Sequence, residues 1–208
     1  MIVDVTGVLL AGGRSTRMGT DKRMLSLGGT TMLERSLTVL QEVFQQVSLV
    51  IAEELPLVVT EIPVWRDLIP HQGSLGGIYT GIRLAQTPYI FVGACDMPFL
   101  NAGLIRYLVS LKDGMDIVMP RWEKNLHPTH AVYGRQCVLA MEEMMRSGHL
   151  SIRDLVLAGT LRVRWVEQPE LSQFDPEGWS FFNVNTPDDF ERARQRAMRV
   201  GSNGGRKK

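Results

Sequence analysis

The sequence predicts an open α/β sheet, mostly parallel, with helices on both faces. Three observations point to it. Short apolar runs suited to buried strands alternate with segments whose apolar residues recur at spacings of three and four. The connections between them are short, as βαβ units require. At 208 residues and 44% apolar content, the chain fits one domain over residues 1–200, with a polar tail over 201–208.

Val5 to Ala11 is an apolar run ending in Gly12-Gly13, which suits a buried strand feeding a loop. From Thr31 a helix is expected, because Leu33, Leu37, Leu40, Val43 and Phe44 share one face. Val47 to Ala52 reads as the next buried strand, and Pro63-Val-Trp-Arg-Asp67 as a short extended piece. The turn-rich Pro70-His-Gln-Gly-Ser-Leu-Gly-Gly77 leads into a helix through Ala85. Tyr89 to Cys95 is the clearest strand, being β-prone and apolar until Asp96-Met-Pro98 stops it. Asn101 is placed to cap the helix that follows.

In the second half, Asp116–Pro120, Thr129–Tyr133 and Leu161–Val166 are expected strands. Helices are expected over Gln136–Arg146 and Ser151–Leu157, the latter with Ser151 and Asp154 spaced as a capping box. Thr186-Pro-Asp-Asp189 starts the last helix: a cap residue, a proline in the first turn and two acids at the positive dipole end. Gly201 to Lys208 is small and polar and should fray.

The charges nearly cancel at +1, so no broad field marks a polyanionic partner, and Trp65, Trp122, Trp165 and Trp179 form no basic-aromatic strip for nucleic acid. Cys95 and Cys137 lack the spacing of a metal motif or a disulfide framework, which suits a reducing cytoplasm. No run approaches the length of a membrane span, and the start lacks the pattern of a secretory leader.

Chemistry concentrates in Leu10-Ala-Gly-Gly-Arg-Ser-Thr-Arg-Met-Gly-Thr-Asp-Lys22. Glycines at a strand end let backbone N–H groups approach phosphate oxygens, and Arg14, Arg17 and Lys22 add cationic donors. The competing reading is a glycine turn with solvated charges. Neither the G-x-G-x-x-G nor the G-x-x-x-x-G-K-[ST] pattern is present.

This loop resembles the L-A-G-G-x-S-x-R-M-G-x-D-K signature of the MobA family, the molybdenum cofactor guanylyltransferases, with a complete match from Leu10 to Lys22. Three further segments are similar to the family's motifs: Asp67 with Gly73-Ser-Leu-Gly-Gly77, where Ser74 replaces the usual proline; Ala94-Cys-Asp-Met-Pro98; and Phe182-Asn-Val-Asn-Thr-Pro-Asp188. The resemblance implies a three-layer Rossmann-like nucleotidyltransferase fold. It also implies transfer of GMP from GTP to the terminal phosphate of molybdopterin, with release of pyrophosphate and dependence on Mg²⁺.

By the same resemblance, Leu10, Ala11, Gly12, Gly13, Lys22, Asp67 and Asp96 meet the nucleotide. Lys22 and Arg17 act on the triphosphate, and Asp96 holds the metal. Asp67 reads equally as a nucleotide contact or a turn acid, and Asp96 could otherwise cap a helix. His127, Asn183 and Asn185 are the pterin-side candidates; the two asparagines have turn formation as their competing role. In His127-Pro-Thr-His130 the proline prevents a regular metal-binding helix, favouring a loop or strand edge over zinc. Met141, Met144 and Met145 read as core filler.

Gly13 favours GTP over CTP by family pattern, whereas Ile51-Ala-Glu-Glu54 lacks the family's asparagine after the second strand. Pterin-delivering or molybdoenzyme-maturation proteins are the implied transient partners. Two alternatives stay open: a nucleotidyltransferase using CTP or another phosphorylated acceptor, and a non-catalytic nucleotide-binding regulatory module. Asp21, in place of the proline that many sugar-phosphate members carry before the loop lysine, argues against one such acceptor class. The presence of Lys22 and Asp96 argues against the regulatory module.

Overall fold

The computed structural model describes residues 1–12, 24–52 and 61–204. In its eight-stranded sheet, β1 (Ile2–Leu10) lies between β4 (Phe44–Ile51) and β6 (Tyr89–Ala94), parallel to both. β5 (Val64–Arg66) continues the parallel order beyond β4. On the other side, β9 (His130–Gly134) follows β6, then β7 (Ile117–Trp122) and β10 (Val163–Glu167), with β8 (Asn125–Leu126) paired to β7. A separate ribbon joins β2 (Ser26–Leu27) to β3 (Thr30–Thr31).

Alternation along β1 explains the layers. Val5 and Leu9 pack with Leu33, Leu37 and Leu40 of α1 (Met32–Val43) and Leu104 and Leu108 of α3 (Ala102–Ser110). Val8 and Leu10 face the opposite way, onto Ile78 and Ile82 of α2 (Gly73–Leu84) and Met141 of α4 (Cys137–Arg146). Each face of the sheet is therefore covered by helices, as the apolar strands require. Met141 is fully buried and Met144 and Met145 are partly buried against the same cluster, so the expected core role holds.

Helix ends follow local chemistry. The Thr31 hydroxyl accepts from Glu34 N at 3.1 Å, while the Glu34 carboxylate accepts from Thr31 N at 2.7 Å. Phe44 does not extend the helix, as its place on the apolar stripe suggested. It is extended, opens β4, and stacks on Phe91 with ring centroids 5.8 Å apart. Asn101 caps α3 by accepting from Leu104 N at 3.0 Å, and Ser151 caps α5 (Ile152–Leu157) by accepting from Asp154 N at 3.3 Å.

Two strands depart from the repeating βαβ pattern, the short β8, antiparallel to β7, and β9. β9 runs antiparallel to both β6 and β7, because too few residues separate β7 from β9 for a crossover helix. Beyond β10 come α6 (Gln168–Leu171), a 3-10 turn at Trp179–Phe181 and α7 (Pro187–Gly204). Thr186 and Asp189 exchange hydrogen bonds at the start of α7, as the sequence suggests. α7 runs past residue 201, the expected start of the tail, and 205–208 lie outside the described residues. Among the described residues no helix is long and apolar enough to cross a membrane.

Candidate functional site

Strand order reverses at β1, and open α/β sheets bind ligands at the carboxyl ends of strands beside such a point. Three backbone bonds bring the relevant ends together. Ala11 N donates to Val50 O at 2.8 Å, Cys95 N to Leu10 O at 3.0 Å, and Asp67 N to Ile51 O at 3.0 Å. Gly12, Ala52, Asp67 and Asp96 thus follow the last rungs of four adjacent strands along one edge.

Beside the first three lies a cavity of about 400 Å³, bounded by Leu10, Gly12, Ala52, Asp67, Ser74 and Gly77 among others. α2 approaches β1 closely here: a Cβ on Gly77 would stand 3.1 Å from a Leu10 methyl and 3.8 Å from Asp67 Oδ1. The N-cap of α2, Gln72, makes no side-chain cap bond among the described residues, and the first turn holds no acid. The helix therefore turns its positive end, without a side-chain cap from Gln72, toward the cavity, which favours an anion. A larger cleft of about 670 Å³ lies at the amino ends of β4 and β5, near Gln46 and Glu61. It holds none of the motif residues and sits on the wrong edge for this sheet type.

Asp96 lies partly exposed just beyond β6, and its carbonyl accepts from Val184 N at 2.8 Å. Val184 is fully buried with Leu27, Met32, Ala193 and Ala197, whereas its neighbours Asn183 and Asn185 are exposed. The chain is thus pinned at Val184, and the two asparagines are displayed beside Asp96. Among the described residues no three His, Cys, Asp or Glu side chains gather as a metal cage. A carboxylate at a strand end suits Mg²⁺, which binds through one or two carboxylates plus substrate phosphates.

His127 and His130 lie beneath this segment, with ring centroids 4.4 and 5.1 Å from that of Phe181. Among the described residues, Nε2 of His127 and both ring nitrogens of His130 are buried without a hydrogen-bond partner, and the His127 ring packs under the acceptor-side segment. Burial lowers His127 to a pKa of about 4, against an opposing hydrogen bond to the Trp122 backbone. Burial, then the charge of His127, lowers His130 to about 3.

Both folded-state values lie below the ordinary 6.5, so unfolding takes up protons on these rings and their stabilisation is complete only above pH 6.5. As pH falls from there toward the folded values, stability should decline, with His130 contributing about 1.4 kcal/mol per pH unit. Urea midpoints at pH 7 and pH 5 measure this, and His130→Leu should reduce the difference by about half, with His127 supplying the rest. A wild-type midpoint unchanged between those pH values would contradict the assignment.

Of the expected site residues, the structure brings together Leu10, Ala11, Gly12, Asp67, Asp96, Asn183 and Asn185. Gly13, Arg14, Arg17, Lys22, Glu53 and Glu54 lie outside the described residues. Ala52, Ser74 and Gly77 were not singled out as site residues, yet they line the cavity. The glycine-rich segment after Asp67 was the signal for two of them, and Ala52 falls in the Ile51-Ala-Glu-Glu54 segment already noted for lacking the family's asparagine.

Comparisons with known proteins bear on the family and the fold. Residues 7–163 match the family model of the MobA-like NTP transferase domain. A protein of Pelotomaculum thermopropionicum named "Probable molybdenum cofactor guanylyltransferase" is 37% identical over 193 residues, covering 93% of each chain. One of Desulfosudis oleivorans, named "Molybdenum cofactor guanylyltransferase", is 33% identical, covering 95% of this chain and 97% of its own. The crystal structure of molybdopterin-guanine dinucleotide biosynthesis protein A from Archaeoglobus fulgidus superposes with a TM-score of 0.81 at 27% identity, covering 94% of this chain and 100% of that one. With its motif residues gathered at the switch point of a nucleotidyltransferase sheet, the chain belongs to the MobA-like NTP transferase family.

Proposed function

We propose that the chain transfers GMP from GTP to the terminal phosphate of molybdopterin, releasing pyrophosphate. The convergence of Gly12, Ala52, Asp67 and Asp96 on one edge, with Asn183 and Asn185 tied to Asp96 through Val184, carries this reading. The guanylyltransferase names of the relatives support the same chemistry here.

In the proposed reaction an oxygen of the acceptor phosphate forms a bond to the α-phosphorus of GTP as the bond from that phosphorus to pyrophosphate breaks. A phosphate monoester loses its second proton near pH ~6, so the nucleophile needs no general base. Catalysis then rests on aligning two anions and offsetting their charge. The cavity beside Asp67 receives the nucleoside, while the N–H groups of Gly12 and the first turn of α2 face the phosphates. Arg17 and Lys22 hold the triphosphate, and the amides of Asn183 and Asn185 meet the pterin edge. Asp96 would hold Mg²⁺, which when bound offsets charge on the leaving pyrophosphate. Cys95 and Cys137, buried and not joined by a disulfide, suit the cytoplasm as the proposed compartment.

Pyrophosphate release with molybdopterin as acceptor, compared across GTP, CTP, ATP and UTP, tests the reading. GTP should be used in preference, and only with Mg²⁺ supplied. Preference for CTP would overturn the inference from Gly13, and nucleotide binding without turnover would favour the regulatory module.

A further inference from the structure

Three non-glycine residues among those described have positive φ: His71 (63°), Glu123 (47°) and Lys124 (67°). Glu123 and Lys124 form the two-residue connection between the antiparallel strands β7 and β8, where tight hairpin turns demand positive φ. His71 lies in no hairpin. It follows Pro70 in a turn before α2, the arrangement of a type II turn whose second central position ordinarily takes glycine. Histidine pays a conformational cost there that glycine would not, and strained residues of this kind cluster at ligand sites. His71 is exposed and lines the 400 Å³ cavity beside Gly12, Ala52, Asp67 and Ser74.

We propose that the His71 ring stacks on the base of the bound nucleotide and contributes to a preference for purines. This rests on the nucleotide reading of that cavity given above. His71 is the only aromatic ring among the described residues that line the cavity. Gly12, Ala52, Gly73 and Gly77 keep the adjoining walls low, leaving room for a flat heterocycle. Stacking reads ring area and not exocyclic groups, so it favours guanine and hypoxanthine alike over a pyrimidine.

The test is His71→Gly, which removes the ring while relaxing the backbone, so folding should be as stable as wild type or more so. Binding of GTP, ITP, CTP and inorganic tripolyphosphate is measured by calorimetry in the presence of Mg²⁺, alongside thermal unfolding. The variant should bind GTP and ITP about tenfold more weakly, equivalent to ~1.4 kcal/mol, and CTP with a smaller loss. Tripolyphosphate affinity should be unchanged and the melting temperature equal or higher. Unchanged GTP affinity in the variant, or an equal loss for tripolyphosphate, would overturn the stacking role. Wild-type protein that binds tripolyphosphate but shows no gain for GTP would overturn the nucleotide reading and the stacking role with it.

Discussion

Asp96→Asn is expected to lower GMP transfer by roughly 10²- to 10³-fold, the usual effect of removing one preorganised electrostatic group from a transition state. The fold should survive, because the contact that ties residue 96 to the acceptor-side segment is made by its backbone carbonyl, which accepts from Val184 N at 2.8 Å. Asparagine keeps that carbonyl and nearly the same side-chain volume while removing the negative charge that Mg²⁺ needs. Pyrophosphate release and thermal unfolding, measured together, separate the two effects. Wild-type turnover in the variant would rule out the metal role, and a large loss of melting temperature would mark Asp96 as structural.

Gly178→Ala should have the largest effect on stability. Gly178 has φ +69°, which alanine adopts only at a cost, and its added Cβ would stand 2.5–2.7 Å from atoms of the Trp122 ring. Overpacking and left-handed backbone together cost about 2–5 kcal/mol, or roughly 5–15 °C in melting temperature for a chain of this size. The damage should not stay local. Gly178 O accepts from Phe181 N at 3.0 Å, and the Phe181 ring supports the chain that displays Asn183 and Asn185. Weakened acceptor use with retained GTP affinity is therefore expected, since the nucleotide cavity lies on the other side of β1. A melting temperature within 2 °C of wild type, by the same ~2–4 °C per kcal/mol scale, would show that Trp122 simply moves aside.

Much of the fold was legible because its signals are local. The apolar stripe of α1, the run at Tyr89–Cys95 and the caps at Asn101, Ser151 and Thr186 each lie within a few residues of one another. Phe44 shows the limit of such signals. It sits at a helical spacing from Leu40, yet it leads the strand, because its ring packs on Phe91 across the sheet. The reversal of β9 likewise follows from a connection length judged between two strands, not from periodicity within either.

The site was legible as separate motifs and not as an arrangement. Parallel register brings Gly12, Ala52, Asp67 and Asp96 to one edge, and the Val184–Asp96 bond adds Asn183 and Asn185 from the far end of the chain. Neither relation leaves a spacing in the sequence. The packing of His127 under Phe181 likewise depends on contacts that no local pattern reports. The positive φ of His71 is a property of the turn, visible only once the backbone is placed.

The most direct measurement of the central claim follows the phosphorus atoms. With molybdopterin as acceptor, GTP labelled at the α-phosphate should pass its label into the pterin product, and GTP labelled at the γ-phosphate should pass its label only into pyrophosphate. Label from the γ-phosphate appearing in the pterin, or α-label remaining in GMP or GDP with the acceptor unmodified, would contradict guanylyl transfer.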